Sequence, residues 1–360
     1  MSLSLDQKVG QLFFIGIPGA EFDEATRGLL SEVSPGGVCL FARNIREARQ
    51  TRKLLDDIRD HTDNDILLSI DQEGGLVDRL RRLVTPMPAA NKMRDADDAK
   101  RLASLIAETL QMLGFNMDFA PVVDVIDEER AKHPNGLFSR EFGRSRDDVV
   151  NLARPFLEEL QSGGILGCLK HFPGLGATRV DSHEELPTVE TEETEFENTD
   201  LYPYRELLKN AHAMMVAHAA YPALPLQERD QNGKLLPSSL SNNFISTLLR
   251  GRLGFDGLVI TDDLEMGAII KNYGIGEACK MAVNAGADML AICADPDRIR
   301  EGHRAVVNAV ERGEISATRL DASLARIAAI KEKLSKPTPL DTSRLAEISN
   351  EIAVFAAELG

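Results

Sequence analysis

Eight short apolar runs punctuate the chain: VGQLFFIGI, GGVCLF, DILLSI, FNMDFAPVVDV, GILGCLKHF, AMMVAHAA, GLVITDD and ADMLAICA. They are near-continuously apolar rather than alternating, and rich in branched residues. That is the pattern of parallel strands buried on both faces. Between the runs, apolar residues recur at three- and four-residue steps. Over 97–113, Leu102, Leu105, Ile106, Leu110 and Leu113 share one helical face, and Gly114 stops the helix. Residues 45–60, 147–160, 298–312 and 320–333 read the same way. Eight strands alternating with helices predict an α/β fold, a single (β/α)8 TIM-type barrel. The competing arrangement is a doubly wound open sheet, but no G-x-G-x-x-G follows the first strand to support it. Lys336-Pro337-Thr338-Pro339 then breaks the alternation. The reading is a catalytic barrel over 1–335 and a C-terminal helical extension over 336–360 packed on it.

Composition narrows the function classes. At 360 residues and 43% hydrophobic positions, the chain can bury a full core. A formal net charge of −16 repels phosphate backbones and anionic lipid, so no nucleic-acid or membrane partner is expected. An anionic small substrate stays compatible if arginines line one pocket. No run approaches the ~18 apolar residues of a membrane span. The start MSLSLDQKVGQLF lacks a basic stretch followed by a long apolar run, so no secretory leader is expected and the reading is cytoplasmic. Cys39, Cys168, Cys279 and Cys293 are scattered, without C-x-x-C spacing, as buried free thiols would be.

In such barrels the active site lies at the C-terminal ends of the strands. The third run ends in Asp71-Gln72-Glu73-Gly74-Gly75, with Arg79 soon after. The fourth ends near Asp124, the fifth in Lys170-His171, the sixth at His218 and the seventh in Thr261-Asp262-Asp263. Each alone reads as well as a solvated strand end or a helix N-cap. Together they converge on one mouth. Strand alternation predicts that Asp263 points away from the side Asp262 faces. The segment KHFPGLGATRVDSHEELP, residues 170–187, adds Asp181 and His183 on an irregular loop. By itself an Asp-x-His pair there is as consistent with a local turn hydrogen bond.

That segment resembles the KHFPGHG…DSH…P signature of glycoside hydrolase family 3, in its β-N-acetylglucosaminidase branch. IDQEGGLVDRL is similar to the family's DQEGG-x-V-x-R element, FSREFG to its R-x-F-G element, and VITDDLEMGA to the segment carrying the nucleophile. With GGVCLFARNI these elements run in order over nearly the whole chain. Leu175 departs from the pattern, standing where the family usually has histidine.

The resemblance implies a retaining exo-β-N-acetylglucosaminidase with a covalent glycosyl-aspartate intermediate. Asp262 would be the nucleophile, His183 the acid/base and Asp181 the residue that orients its ring. Retaining glycosidases usually use two carboxylates, but an imidazole titrating near neutrality can serve both proton transfers. Asp71, Arg79, Arg140, Lys170 and His171 would hold the sugar, with His218 at the same mouth or buried and satisfied. The glycines and prolines predict a loop, 174–185, that moves to deliver His183. No cofactor and no catalytic metal are implied, and no H-E-x-x-H is present. The implied substrate is an N-acetylglucosamine-containing muropeptide or disaccharide of peptidoglycan recycling, acted on by a monomer. Another β-glycoside, phosphorolysis, and a non-catalytic sugar sensor supported by Leu175 remain open at this point.

Overall fold

The computed structural model describes residues 3–62, 65–133, 135–179 and 186–360. Each of the eight runs contributes one strand: β1 (Phe13–Gly16), β2 (Gly37–Leu40), β3 (Leu67–Ile70), β4 (Met117–Asp118), β5 (Leu166–Phe172), β6 (Ala213–Val216), β7 (Leu258–Asp263) and β8 (Met289–Ile292). They pair in parallel in chain order, and β8 closes onto β1, so the sheet is a barrel and not an open sheet. Every residue of β1, β2, β3, β5, β6 and β8 is buried. Inward side chains fill the barrel and outward ones meet the helices, which is why the runs lack polar alternation. β4 is short, yet the chain beyond it keeps company with β5: the Cys168 amide donates to the Ala120 carbonyl and the Val123 amide to the Lys170 carbonyl, both at 2.8 Å.

Helices return the chain between strands: α1 (Glu24–Val33), α2 (Ala48–His61), α3 (Ala96–Leu113), α4 (Arg146–Ser162), α5 (Ile275–Ala285) and α6 (Pro296–Glu311). Helical turns Tyr202–Leu207 and Asn243–Arg252 serve after β5 and β6. Their starts are written in the sequence. The Asp95 side chain accepts the amides of Asp97 and Asp98, Ser145 and Asp148 form a capping box, and Asp295 caps α6 just ahead of Pro296. At the end of the barrel opposite the strand C-termini, buried Asp288 accepts hydrogen bonds from Arg250, Arg319, Arg326, Ser323 and the Val259 amide. One carboxylate thus ties β7, β8 and α7 (Ala317–Lys331) together.

After the Pro-containing break, α8 (Thr342–Leu359) starts at the Asp341 cap and buries Leu345, Ile348, Ile352 and Phe355. The Arg344 guanidinium forks onto Glu108 of α3 at 2.6 and 2.9 Å, and the Arg101 guanidinium lies 4.5 Å from the centre of the Phe355 ring. The tail therefore lies on the barrel as a helix. All four cysteines are buried free thiols. Among the described residues, no helix is long and apolar enough to cross a membrane. Truncating the fully buried Phe355 to Ala should lower stability by about 3 kcal/mol through lost burial and the cavity left behind. Urea denaturation checks this, and an unchanged midpoint would mean that α8 does not belong to the cooperative fold.

Candidate active site

A cavity of about 450 Å³ opens at the C-terminal strand ends and is bordered by Asp71, Glu73, Arg79, Arg140, Lys170, His171 and Asp262. Its volume falls in the range of roughly 300–1,000 Å³ usual for small-ligand sites. Two irregularities in the barrel shape it. Leu169 pairs with Met214 but Phe172 with Val216, so β5 carries one extra residue at Lys170-His171. Ile260 pairs with Met289 but Asp263 with Ala291, so β7 carries one at Thr261-Asp262. A bulge of this kind resets the alternation of side chains. As a result Lys170 and His171 both border the cavity, and so do Asp262 and Asp263. The expectation that Asp263 would turn away assumed a regular strand, and the bulge removes that assumption. Asp263 also ends the strand, where its Oδ1 accepts the Glu265 amide at 3.0 Å.

The cationic side of the cavity is built around Lys170. Its ammonium is 2% exposed and touches Asp71 Oδ1 at 2.7 Å and Glu73 Oε1 at 2.6 Å. Burial opposes its charge, but the two carboxylates outweigh burial and raise it above the usual lysine range. Arg140 grips Glu73 through Nε and Nη2 at 2.8 and 2.9 Å. Burial would raise Glu73, yet the Lys170 and Arg140 charges hold it at about 2. Glu73 is thus a permanent anion that keeps two cations in place. Asp71 is the more exposed partner at 18%, and its Oδ2 lies 3.8 Å from Arg79, leaving lone pairs for a ligand. Gln72 and Asp78 fasten the hairpin that carries Glu73. Gln72 Nε2 donates to Asp78 Oδ1 at 2.9 Å, and Gln72 Oε1 accepts the Arg79 amide at 2.9 Å.

Asp124, fully buried, organises the fifth strand end. It accepts His171 Nδ1 at 2.8 Å, the His171 amide at 3.3 Å and the Leu175 amide at 2.6 Å. With Nδ1–H committed to a carboxylate, His171 turns Nε2 toward Arg140, 3.5 Å from Nη2. The chain beyond it is tied down. Tyr221 Oη donates to the Gly174 carbonyl at 2.9 Å and Asn135 Nδ2 to the Thr178 carbonyl at 3.0 Å. A Cβ on Gly176 would lie 2.0 Å from the Val125 carbonyl oxygen. These contacts pack residues 173–178 closely against their neighbours, and residues 180–185 of the loop expected to move lie outside the described residues. Asp181 and His183 lie outside the described residues.

Asp262 accepts the Asp263 amide at 2.8 Å. Burial pushes its carboxyl up, but the His171 and His218 rings, that amide and the Lys170 ammonium bring it below the usual carboxylate range. Asp263 behaves oppositely. Burial, then the Glu265 and Asp262 charges, lift it to about 7 against the Glu265 hydrogen bond. His218 does not border the cavity and is fully buried. Its Nε2 donates to the Asp263 carbonyl at 3.0 Å, and its Nδ1 lies 2.7 Å from Ser239 Oγ. It supports the Asp262-Asp263 turn from behind. The structure thus brings Asp71, Arg79, Arg140, Lys170, His171 and Asp262 together and sets His218 apart. Sequence reasoning missed the roles of Glu73, Gln72 and Asp124. Gln72 and Glu73 stood beside Asp71, and Asp124 was noted only as a strand end, but a pairing of groups across strands leaves no mark in a single chain's order.

The family model for the glycosyl hydrolase family 3 N terminal domain matches residues 4–330. A β-hexosaminidase of Tolumonas auensis is 32% identical over 351 residues, 96% of this chain and 98% of that protein. A glycoside hydrolase family 3 β-N-acetylglucosaminidase from Paenibacillus superposes with a TM-score of 0.89 at 36% identity, covering 99% of this chain and 69% of that one. A β-N-acetylhexosaminidase from Beutenbergia cavernae gives 0.83 at 28% identity, covering 92% and 99%.

Two outcomes follow from these contacts. Asp124→Asn removes the charge from three hydrogen bonds, so it should cost about 2 kcal/mol of stability and speed hydrogen exchange at the Leu175 amide. Wild-type protection there would show that Asp124 does not hold the loop. For Asp263, the folded value of about 7 lies above the ordinary 3.8. Its contribution is fully present below about pH 4 and is lost as pH rises through about 7. Asp263→Asn removes this loss, so its Tm relative to wild type should be higher at about pH 8 than at about pH 5. A difference constant with pH would mean Asp263 is already ionised in the fold.

Proposed function

The chain belongs to glycoside hydrolase family 3, in its β-hexosaminidase branch, and from that premise we propose a retaining exo-β-N-acetylglucosaminidase with Asp262 as nucleophile. The observation that carries this reading is the Asp262 carboxylate itself. It sits at a strand end on the cavity wall, held ionised among cationic and imidazole side chains. A rigid strand end suits attack, because the reacting atoms must be held close and aligned.

In this mechanism Asp262 attacks the anomeric carbon as His183 protonates the departing oxygen, giving a glycosyl-aspartate. His183 then takes a proton from water, which cleaves that ester and restores both groups. Asp181 orients the His183 ring. Asp71 accepts hydrogen bonds from sugar hydroxyls, while Arg79, Arg140, Lys170 and His171 surround the remaining hydroxyls and the 2-acetamido group. His218 acts indirectly, through the Asp263 carbonyl that it holds. Residues 1–335 form the catalytic barrel and 336–360 an extension on it. The natural substrate in this reading is a peptidoglycan-derived fragment ending in N-acetylglucosamine, cleaved by hydrolysis. Four free buried thiols suit a reducing cytoplasm. The proposed unit of action is a monomer.

Leu175 had been the one support for a non-catalytic sensor. Its contact with Asp124 runs through the main-chain amide, which any residue but proline supplies. Aryl β-N-acetylglucosaminide should be hydrolysed in preference to the matching β-glucoside, and Asp262→Ala should lose activity by roughly 10⁴-fold or more. Equal turnover of both glycosides would move the assignment to another sugar. Substantial activity in the variant would remove Asp262 from the nucleophile's role.

A further inference from the structure

The connection between β3 and α3 folds back on itself before it reaches the helix. Gln72–Gly74 and Val77–Asp78 pair antiparallel, and the chain then returns as a strap, Thr85-Pro86-Met87-Pro88-Ala89, that clasps this hairpin. The Gly75 amide donates to the Met87 carbonyl and the Met87 amide to Asp78 Oδ2, both at 2.9 Å. The fit leaves no room for side chains at the turn. A Cβ on Gly74 would lie 2.2 Å from the Pro88 carbonyl oxygen, and one on Gly75 would lie 2.5 Å from the Ala89 Cβ. Asp78, 3% exposed, is the junction. Its Oδ2 takes the strap, while its Oδ1 takes Gln72 Nε2 and the Leu80 amide. The hairpin so held carries Glu73, with Asp71 just before it and Arg79 just after.

The strap is fastened from its other side by α8. The Thr85 amide donates to Ser349 Oγ at 2.8 Å, and the Thr85 and Ser349 hydroxyls are also 2.8 Å apart. Further along the same connection, the Arg94 guanidinium donates to the Glu358 carbonyl at 3.1 Å. Pro86 stands between Thr85 and Met87, and Pro88 follows. A proline fixes its own φ and confines the residue before it to extended backbone. Thr85 and Met87 therefore share a stiff segment, and a displacement at one is passed to the other.

The groups on the hairpin depend on its position. Glu73 touches Lys170 at 2.6 Å and grips Arg140 through two hydrogen bonds, and such bonds weaken steeply as geometry degrades. Arg79 is held more loosely. Among the described residues its buried Nε has no hydrogen-bond partner, its ion pair with Asp71 is 3.8 Å long, and the Phe41 ring centre is 5.8 Å from its guanidinium. Its aim at the cavity therefore rests on the backbone, whose amide donates to Gln72 Oε1 at 2.9 Å.

We propose that α8 is a positioning element of the sugar site, with Ser349 pinning the 85–89 strap that sets the hairpin of Asp71, Glu73 and Arg79. This rests on the glycosidase reading of the cavity. None of these contacts touches β7, where Asp262 stands, so loosening the strap weakens sugar binding and spares the chemical step.

The test compares Ser349→Ala, Ser349→Thr and Arg344→Ala in the full-length chain, with an aryl β-N-acetylglucosaminide as substrate. Ser349→Ala should raise KM roughly fivefold, the worth of one net hydrogen bond, with kcat near wild type. It should also speed hydrogen exchange at the Gly75 and Met87 amides. Ser349→Thr keeps the hydroxyl and should restore both. Arg344→Ala removes the fork onto Glu108 and should lower Tm without moving KM. An unchanged KM in Ser349→Ala, a rise shared by Ser349→Thr, or an equal rise in Arg344→Ala overturns the proposal. So does a loss of kcat at constant KM. If wild type does not turn over the substrate, the proposed function fails by itself. Faster Gly75 exchange in Ser349→Ala would then still show that α8 holds the hairpin, and unchanged exchange would refute it.

Discussion

A lysine ammonium buried at the mouth of a barrel is the constraint on which the rest of the site depends. Removing such an ion from water costs several kcal/mol unless carboxylates meet it at close range. Lys170 obtains two, Asp71 and Glu73, from the end of the third strand and the hairpin beyond it. Glu73 in turn fixes Arg140, and the Gln72–Asp78 clasp fixes Glu73. Each charge is thereby held by a group that is itself held, and Lys170 and Glu73 are the most deeply buried of the set. Replacing the network by apolar residues would serve stability as well or better. Its persistence in the cavity wall is what a site for recognising hydroxyl groups calls for.

The opposite wall applies the same physics to a different end. Two adjacent aspartates differ in charge because their surroundings differ. Asp262 faces histidines and an ammonium and stays ionised, while Asp263 faces Glu265 and Asp262 itself and is lifted to about 7. One carboxylate is available for attack at neutral pH without a second full negative charge beside it. Asp124 completes the arrangement, spending its lone pairs on His171 and on the chain that leads toward Asp181 and His183.

Much of this was legible before any coordinates. Strands buried on both faces must be apolar throughout, so the eight runs stood out, and the helices between them showed as apolar stripes at three- and four-residue steps. Asp71, Lys170, His171 and Asp262 lay at strand ends, where the fold requires them, while Arg140 lies in the connection before α4 and was named through the family resemblance. What stayed hidden has a common cause. The bulges in β5 and β7 are defined by the partner strand's register, which a chain read alone does not contain. The same holds for the Glu73–Arg140 pair, which joins residues far apart in sequence, and for the burial of His218 behind the Asp263 carbonyl. Local rules succeeded where structure is local, and failed where two strands together decide which way a side chain turns.

The bond between the Leu175 amide and Asp124 separates two jobs that one residue would otherwise share. The main chain holds the loop, while the side chain, 5% exposed, only papers the cavity wall. Position 175 is therefore a free dial for an engineer. Its bulk and polarity can be reset to suit a larger or more hydrophilic sugar substituent, and the loop's anchorage is untouched by the choice.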